Sequence, residues 1–341
     1  MNYIDFRSDT VTKPTEGMRK AMYLAEVGDD VLGDDPTVHA LEEKACSLLG
    51  TAGALYVSSG TQANLLSIMS HCERGDEYIA GQGAHCYNHE GGGAAVLGSI
   101  QPQPVEFNSD GTLDLAAVEA KIKPDDFHFA RTKLLCLENT QDGKALPLDY
   151  IKNASAFCRQ KGLAIHLDGA RLFNAAAACK VPAGEITGYF DTISVCLSKG
   201  LGAPVGSLVC GKKENIDRAR RWRKVLGGGM RQAGIIAAAG IYALDNNLKR
   251  LETDHENASY LAGELSSFKG INIIYQATNM IFLKLNMPLK TVSELADYLK
   301  TNGVLIFPSE TIRLVTHLGM DRDDVKKTVS LISDFFRIKQ A

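Results

Sequence analysis

The chain has 341 residues, 45% of them hydrophobic and 23% charged, with a formal net charge of −3 at neutral pH. That length and apolar fraction allow two domains with sizeable cores. The near balance of charge argues against nucleic acid as a partner, since its backbone needs a basic surface.

The eight cysteines form no C-x-x-C pair and sit mostly in apolar runs such as "LLCLEN" and "SVCLSK". They are expected as buried thiols of a reducing compartment, not as a disulfide framework or zinc site. The N-terminus, "MNYIDFRSDTVTKP", has early acids and no apolar signal region, and no charge-free stretch reaches membrane-spanning length. A soluble, cytoplasmic protein with no membrane partner is the expectation.

In chain order, residues 1–50 read as an extended arm and a loop, "VGDDVLGDDP". A helix from about Thr37 to Leu49 follows, with Thr37 as its N-cap after Pro36. Residues 51–245 then alternate strand-like runs with amphipathic ones. The strand candidates are "ALYVS", "EYIAG", "IQPQPVEF", "KLLCLEN", "LAIHLDG", "TISVCLS" and "GSLVCG". The helical stretches between them include "TQANLLSIMSHC" and "DYIKNASAFCRQKG". This alternation predicts an α/β fold with a large, mostly parallel sheet covered by helices on both faces. Functional groups in such sheets gather at the carboxyl ends of the strands.

"RARRWRK", Arg218 to Lys224, reads as a solvated basic helix face. An Ala-rich helix from about Met230 to Asn246 is expected to continue toward Ser266. Residues 246–341 supply "INIIY", "MIFLKL", "VLIF" and "TIRLVTH" as strands, with helices at "VSELADYLKTNG" and "DDVKKTVSLISDFFRI". They read as a smaller α+β domain.

Three familiar binding patterns fail. "GSLVCGKK" approaches a P-loop, but Lys213 stands where the metal-binding hydroxyl belongs. No G-x-G-x-x-G occurs, so the dinucleotide fingerprint is missing. His85 and His89 share a possible helix face, yet no third ligand is near in sequence, and no metal is expected.

The positive signals lie at strand ends. "LAIHLDGAR" ends a strand with Asp168, a carboxylate that is costly to bury without a cation facing it. Thirty-one residues on, Lys199 follows "TISVCLS" among Gly200, Gly202 and Gly206. Taken singly, the aspartate reads equally well as a helix cap, and the lysine as a stem that packs while its head reaches water. Together they suit pyridoxal phosphate. The lysine forms a Schiff base with the aldehyde, and the aspartate holds the protonated pyridine nitrogen. "SSGTQANLL" adds Ser58, Ser59, Gly60 and Thr61 leading into a helix whose first N–H groups face an anion.

With these pieces in order, the sequence resembles the low-specificity L-threonine aldolases, pyridoxal-phosphate enzymes of the aspartate-aminotransferase fold (fold type I). The matching blocks are "DFRSDTVTKP", "VGDDVLGDDPTV", "GTQANL", "HCERGDEYI", "LENT", "HLDGAR", "CLSKGLGAPVGS", "GGGMRQ" and "RLVTH". The resemblance implies that Lys199 carries the cofactor and that Asp168 holds its ring nitrogen. Ser59, Gly60 and Thr61 would bind the phosphate, joined by Arg231 and Lys224, in part across a subunit contact.

Arg313, Arg171 and Ser8 match the positions that bind the substrate carboxylate, and Arg171 also borders the cofactor. His85 matches the histidine lying over the ring, and His128 a second histidine near the substrate hydroxyl; either can serve as the base. The implied assembly is a homo-oligomer, commonly a dimer of dimers, with active sites at subunit interfaces. The implied reaction is cleavage of threonine, allo-threonine or another 3-hydroxy amino acid to glycine and an aldehyde. A β-eliminating lyase or aminotransferase is the alternative on the same cofactor, and a cofactor-free scaffold is the alternative of another class.

Overall fold

The computed structural model describes residues 3–340. The N-terminal arm contributes a two-residue strand, β1 (Ile4–Asp5). Seven strands then form the large sheet: β2 (Gly53–Val57), β3 (Asp76–Gly81), β4 (Gln101–Val105), β5 (Arg131–Glu138), β6 (Ala164–Asp168), β7 (Thr192–Cys196) and β8 (Ser207–Gly211). Their spatial order is β2-β8-β7-β6-β5-β3-β4. All seven expected runs are strands.

Only β8 runs against the rest, antiparallel to both β2 and β7. The link from β7 to β8, residues 197–206, contains no helix and is too short for a parallel crossover. From β5 to β6 the chain instead returns through the helix Leu148–Lys161, which Gly162 ends in a left-handed conformation. Every residue of β3, β7 and β8 is buried, as a sheet covered on both faces requires.

The last third adds β9 (Ile271–Ala277), β10 (Met280–Leu285), β11 (Val304–Leu305) and β12 (Ile312–Val315). β12, β10 and β9 form an antiparallel sheet in that order, packed under the helices Leu251–Ser266, Leu289–Thr301 and Arg322–Gln340. Its core takes in Ile4 and Phe6 from the opposite end of the chain. β1 pairs in parallel with β11 and fixes that arm beside the second core. No helix of the described residues is long and apolar enough to cross a membrane. All eight cysteines are free thiols, and six of them are buried.

Four expectations need correction. The helix starts at Pro36, and Asp35, not Thr37, is its N-cap; the carboxylate accepts from the N–H groups of Thr37 and Val38 at 3.1 and 3.0 Å. The other oxygen of Asp35 accepts from Gly234 N at 2.8 Å, which anchors the start of a second helix. That helix, Gly234–Asn246, does not run on to Ser266. Asn247 ends it and donates from Nδ2 to the Leu201 carbonyl at 2.7 Å, and a new helix starts at Leu251. The "RARRWRK" face is not uniformly solvated, because Arg223 is buried between Asp30 and the Tyr56 carbonyl, at 2.8 and 2.7 Å. "VLIF" shrinks to the two residues that β1 can reach.

Candidate active site

Three parallel strands, β5, β6 and β7, deliver the site from their carboxyl ends. Register pairs Glu138 of β5 with Asp168 of β6, and Asp168 with Ser194 of β7. Asp168 is buried. One oxygen accepts from Asn64 Nδ2 at 2.6 Å; the other accepts from Ala170 N at 3.1 Å and Ser194 Oγ at 3.4 Å. A carboxylate with three donors aimed at it is held in one orientation.

Two more acids crowd this carboxylate, and neither has a lysine or arginine paired with it among the described residues. Ligating atoms of His85, Glu90 and Asp168 lie within 4.8 Å of one another. His85 Nδ1 meets Glu90 Oε1 at 2.7 Å, and Asn64 Nδ2 bridges to the same Glu90 oxygen at 2.8 Å. Burial pushes the Glu90 carboxyl above its usual range, and the hydrogen bond from His85 only partly offsets this. That hydrogen bond is the main reason the His85 imidazole is raised, with burial opposing it. Glu138 accepts from the His85 backbone N–H at 2.8 Å. Burial first, and then the Asp168 charge, raise it to about 8.

Lys199 lies in the loop after β7. Its carbonyl accepts from Gly202 N and from Thr12 Oγ1, each at 2.9 Å, so the N-terminal arm helps to shape the loop. Gly202 has φ +79°, and a Cβ there would sit 2.5 Å from Leu318 Cδ2. Only glycine fits this turn. Lys199 makes no salt bridge among the described residues, yet its charge reaches both Asp9 and His85.

The loop expected to bind an anion follows β2. Ser59 caps the helix Gly60–His71, its Oγ accepting from Gln62 N at 3.1 Å, and the first-turn N–H groups are left pointing out of the helix. A Cβ on Gly60 would meet Cys196 Sγ at 2.7 Å, so packing against β7 already demands glycine here. A Cβ on Gly228 would strike Gln62 Nε2 at 2.2 Å, and one on Gly229 would stand 3.8 Å from Lys224 Nζ. The glycine run therefore lies against Gln62 on one side and Lys224 on the other. Arg231 is half exposed and pairs with Asp29 at 2.7 Å.

The two candidate arginines differ. Arg171 grips buried Asp9 with Nε and Nη2, at 2.8 and 2.7 Å, which leaves Nη1 outside the pair. Burial would raise the Asp9 carboxyl, but the adjacent Arg171 outweighs it and Lys199 adds to the effect, for a net value of about 2. Arg313 on β12 has only a 3.4 Å contact to the Arg7 carbonyl and no salt bridge among the described residues. Ser8 caps the turn Asp9–Val11, accepting from Thr10 N.

His128 is placed apart. It is exposed, bonded to Asp126 at 2.6 Å and tilted against the Phe127 ring, and among the described residues no hydrogen bond joins it to the Lys199 cluster. The flanking Phe127 and Phe129 are themselves exposed and do not shield it. His89 lies 5.8 Å from His85, ring to ring, and is not one of the clustered ligating groups.

Sequence reasoning missed Asp9, Asn64, Glu90 and Glu138. Glu138 carried a usable signal, an acid ending an apolar strand just as Asp168 does. The others are assembled only by distant contacts: Asn64 meets Asp168 across 104 residues, and Asp9 meets Arg171 across 162.

The sequence matches the family described as "Beta-eliminating lyase" over residues 5–288. It is 55% identical to the low specificity L-threonine aldolase of Escherichia coli (strain K12), over 96% of this chain and 97% of that one. It is 44% identical to the probable low-specificity L-threonine aldolase 2 of Arabidopsis thaliana, over 98% and 97%. The fold superposes on the threonine aldolase structure from Leishmania major with a TM-score of 0.83 at 22% identity, covering 97% of this chain and 99% of that one. The architecture and the extent of identity lead to one placement: the chain belongs to the low-specificity L-threonine aldolases of the beta-eliminating lyase family.

Proposed function

We propose that this protein uses pyridoxal phosphate to cleave L-threonine, L-allo-threonine and related 3-hydroxy amino acids to glycine and an aldehyde. The observation that carries the reading is the acid cluster of Asp168, Glu90 and Glu138, which has no lysine or arginine paired with it among the described residues, together with Lys199, which likewise makes no salt bridge there. Asp168 would face a protonated pyridine nitrogen, and Lys199 would take an aldehyde as its covalent partner. The residues fit the group: Lys199 would hold its aldehyde carbon, Asp168 its nitrogen, and Ser59, Gly60 and Thr61 its phosphate, with Lys224 and Arg231 adding charge. When bound, the cofactor supplies an electron sink for the bonding pair released at the substrate α-carbon.

The chain's own residues do the rest. Arg313 has no carboxylate partner among the described residues and offers a fork for the substrate carboxylate, which Ser8 and Nη1 of Arg171 would also hold. Holding that carboxylate would fix the orientation of the substrate α-carbon and its bonds. The Nδ1–H of His85 donates to Glu90, which leaves Nε2 as the nitrogen with a lone pair. Nε2 takes the proton of the substrate hydroxyl, directly or through one water, as the carbon–carbon bond opens. This arrangement supports His85 over His128 as the base within one subunit. His128 keeps a role only where assembly brings its loop to a site.

We also propose a homo-oligomer, a dimer of dimers with active sites at subunit contacts. Tyr23, Leu24, Leu32 and Val225 are large apolar side chains left exposed, and Leu32 and Val225 flank the Asp29, Lys224 and Arg231 segments. Patches of this kind mark association surfaces. The free thiols favour a reducing, cytoplasmic setting.

The test is product identity. Purified protein given L-threonine is expected to release acetaldehyde and glycine in equal amounts. Pyruvate with ammonia, or a 2-oxo acid, would instead assign an eliminating lyase or an aminotransferase. Hydride reduction followed by peptide mass spectrometry is expected to find the cofactor on Lys199; an adduct elsewhere overturns the mechanism.

A further inference from the structure

Behind Asp168 an unbroken line of hydrogen bonds runs between the helix Gly60–His71 and the sheet. His166 precedes Asp168 by two residues on β6, so both side chains leave the same face. Asn64 and His71 are seven residues apart on the helix, two turns, and share one side of it. Thr192 is the register partner of His166 on β7. Asn64 Nδ2 reaches Asp168 at 2.6 Å, and Asn64 Oδ1 meets His166 Nε2 at 3.1 Å. His166 Nδ1 meets Thr192 Oγ1 at 2.9 Å, and the same hydroxyl meets His71 Nε2 at 3.0 Å. His71 opens onto a cavity of about 700 Å³ near the amino ends of the strands, lined also by Arg74, Lys133 and Arg218.

The direction of every bond follows from the acidic end. Asp168 and Glu90 both take protons from Asn64 Nδ2, so Asn64 Oδ1 must accept. Its only proton source here is the Nε2–H of His166. Burial lowers both imidazoles to about 4, so each is neutral and has one N–H. His166 Nδ1 is then a lone pair, which accepts from the Thr192 hydroxyl, and that hydroxyl accepts from His71 Nε2–H. Thr192 has a particular job. The His166 Nδ1 atom also lies 3.1 Å from the Thr192 carbonyl, which would draw a proton onto Nδ1 if the hydroxyl were absent. Nε2 would then face Asn64 Oδ1 with two lone pairs opposed. Asn64 would have to turn its amide and present oxygen to Asp168 and Glu90.

We infer that His71, Thr192, His166 and Asn64 are positioning residues that fix the tautomer of His166 and, through it, the donor aimed at Asp168. They would touch neither substrate nor cofactor, and they act by holding the Asp168 carboxylate in the orientation that would face the ring nitrogen. This rests on the pyridoxal-phosphate reading above. That reading is checked first, by the Lys199 adduct in the parent protein.

The test compares Thr192→Val, which keeps the shape and removes the hydroxyl, with Thr192→Ser, which keeps the hydroxyl. Two quantities are read: the dissociation constant of apoprotein for pyridoxal phosphate by equilibrium dialysis, and kcat and KM for L-threonine. Thr192→Val is expected to weaken cofactor binding about tenfold and lower kcat about tenfold, with KM within about twofold, the scale of one hydrogen bond to a charged group. Thr192→Ser is expected to restore both quantities to within about twofold.

His71→Leu, at the half-buried outer end, serves if Thr192→Val does not fold, and is expected to move both quantities about threefold in the same direction. Parental cofactor affinity and kcat in Thr192→Val, or in His71→Leu where that variant stands in, would overturn the relay while leaving the Lys199 adduct intact. A parent protein with no adduct at Lys199 would overturn the relay together with the reading beneath it.

Discussion

Both ends of the large sheet bury carboxylates, and they treat them oppositely. At the amino ends, Asp76 and Glu77 of β3 are almost fully enclosed. Asp76 is paired with Arg131 Nε at 2.8 Å and also accepts from Glu73 N, while Glu77 is paired with Lys123 and accepts from Thr132 Oγ1 at 2.6 Å. At the carboxyl ends, Glu90, Glu138 and Asp168 are packed together without a salt bridge from Lys or Arg among the described residues, and Glu90 and Glu138 are pushed upward by burial. Pairing makes a buried acid part of the scaffold. A cluster left uncompensated is held in readiness for a cation that arrives from outside. The same sheet that satisfies its charges at one end therefore withholds satisfaction at the other.

The sharpest way to break this contrast is to remove one charge at each end. Asp168→Asn keeps size and most hydrogen bonding but cannot balance a protonated ring nitrogen. It is expected to lower kcat for threonine by about 10²–10³, the scale of losing one aligned electrostatic group, while the melting temperature of the apoprotein changes little. Lys123→Met at the opposite end should do the reverse. It strands buried Glu77 without its cation and should cost about 3 kcal/mol of stability by denaturant unfolding, with kcat preserved in whatever fraction remains folded. If both variants lost activity and stability in the same proportion, the two ends would not differ in kind.

Much of this contrast was written in local sequence, and the part that was not has a physical reason. The seven strands were visible because strands buried on both faces must be short apolar runs bounded by turns. Lys199 and Asp168 were visible because a charge ending such a run is expensive unless it has a task. Glu90 follows a one-turn helix, His85–Asn88, that has no apolar periodicity, and only the fold brings it to His85 and Asn64. Asp9 looked like part of a polar arm until Phe6 and Ile4 anchored that arm in the second core and carried the carboxylate to Arg171. The false N-cap at Thr37 arose because Asp35 and Thr37 both suit a cap, and only the Asp35 side chain reaches two N–H groups at once.

A finer prediction concerns Glu90 and the pH dependence of turnover. Its hydrogen bond keeps the His85 imidazole above the ordinary value near 6.5, and His85 must be neutral to accept a proton. Turnover is therefore expected to rise with pH along a limb that lies above 6.5. Glu90→Gln removes the carboxylate but keeps an acceptor for Nδ1–H, so the limb should move to lower pH while the plateau changes less. A limb that stays in place in the kcat–pH profile would show that His85 is not the group being titrated.

The smallest effect expected is also the one most specific to the uncompensated end. Glu138 is raised in the folded protein to about 8 by burial and by Asp168, whereas an unfolded glutamate titrates near 4.3. A carboxyl raised on folding adds stability that is complete below its unfolded pKa and is lost as pH climbs through the folded one. Glu138→Gln stays neutral throughout, so it should match the parent apoprotein near pH 4 and gain on it progressively up to about pH 8. Above that the difference should level off, with a melting temperature a few degrees higher than the parent's. Saturating the parent with cofactor should shrink the gap, because a cation against Asp168 relieves the repulsion that Glu138 feels. A gap that ignored both pH and cofactor would mean that the substitution acts through packing, and the carboxyl end of the sheet would then be no more strained in charge than the amino end.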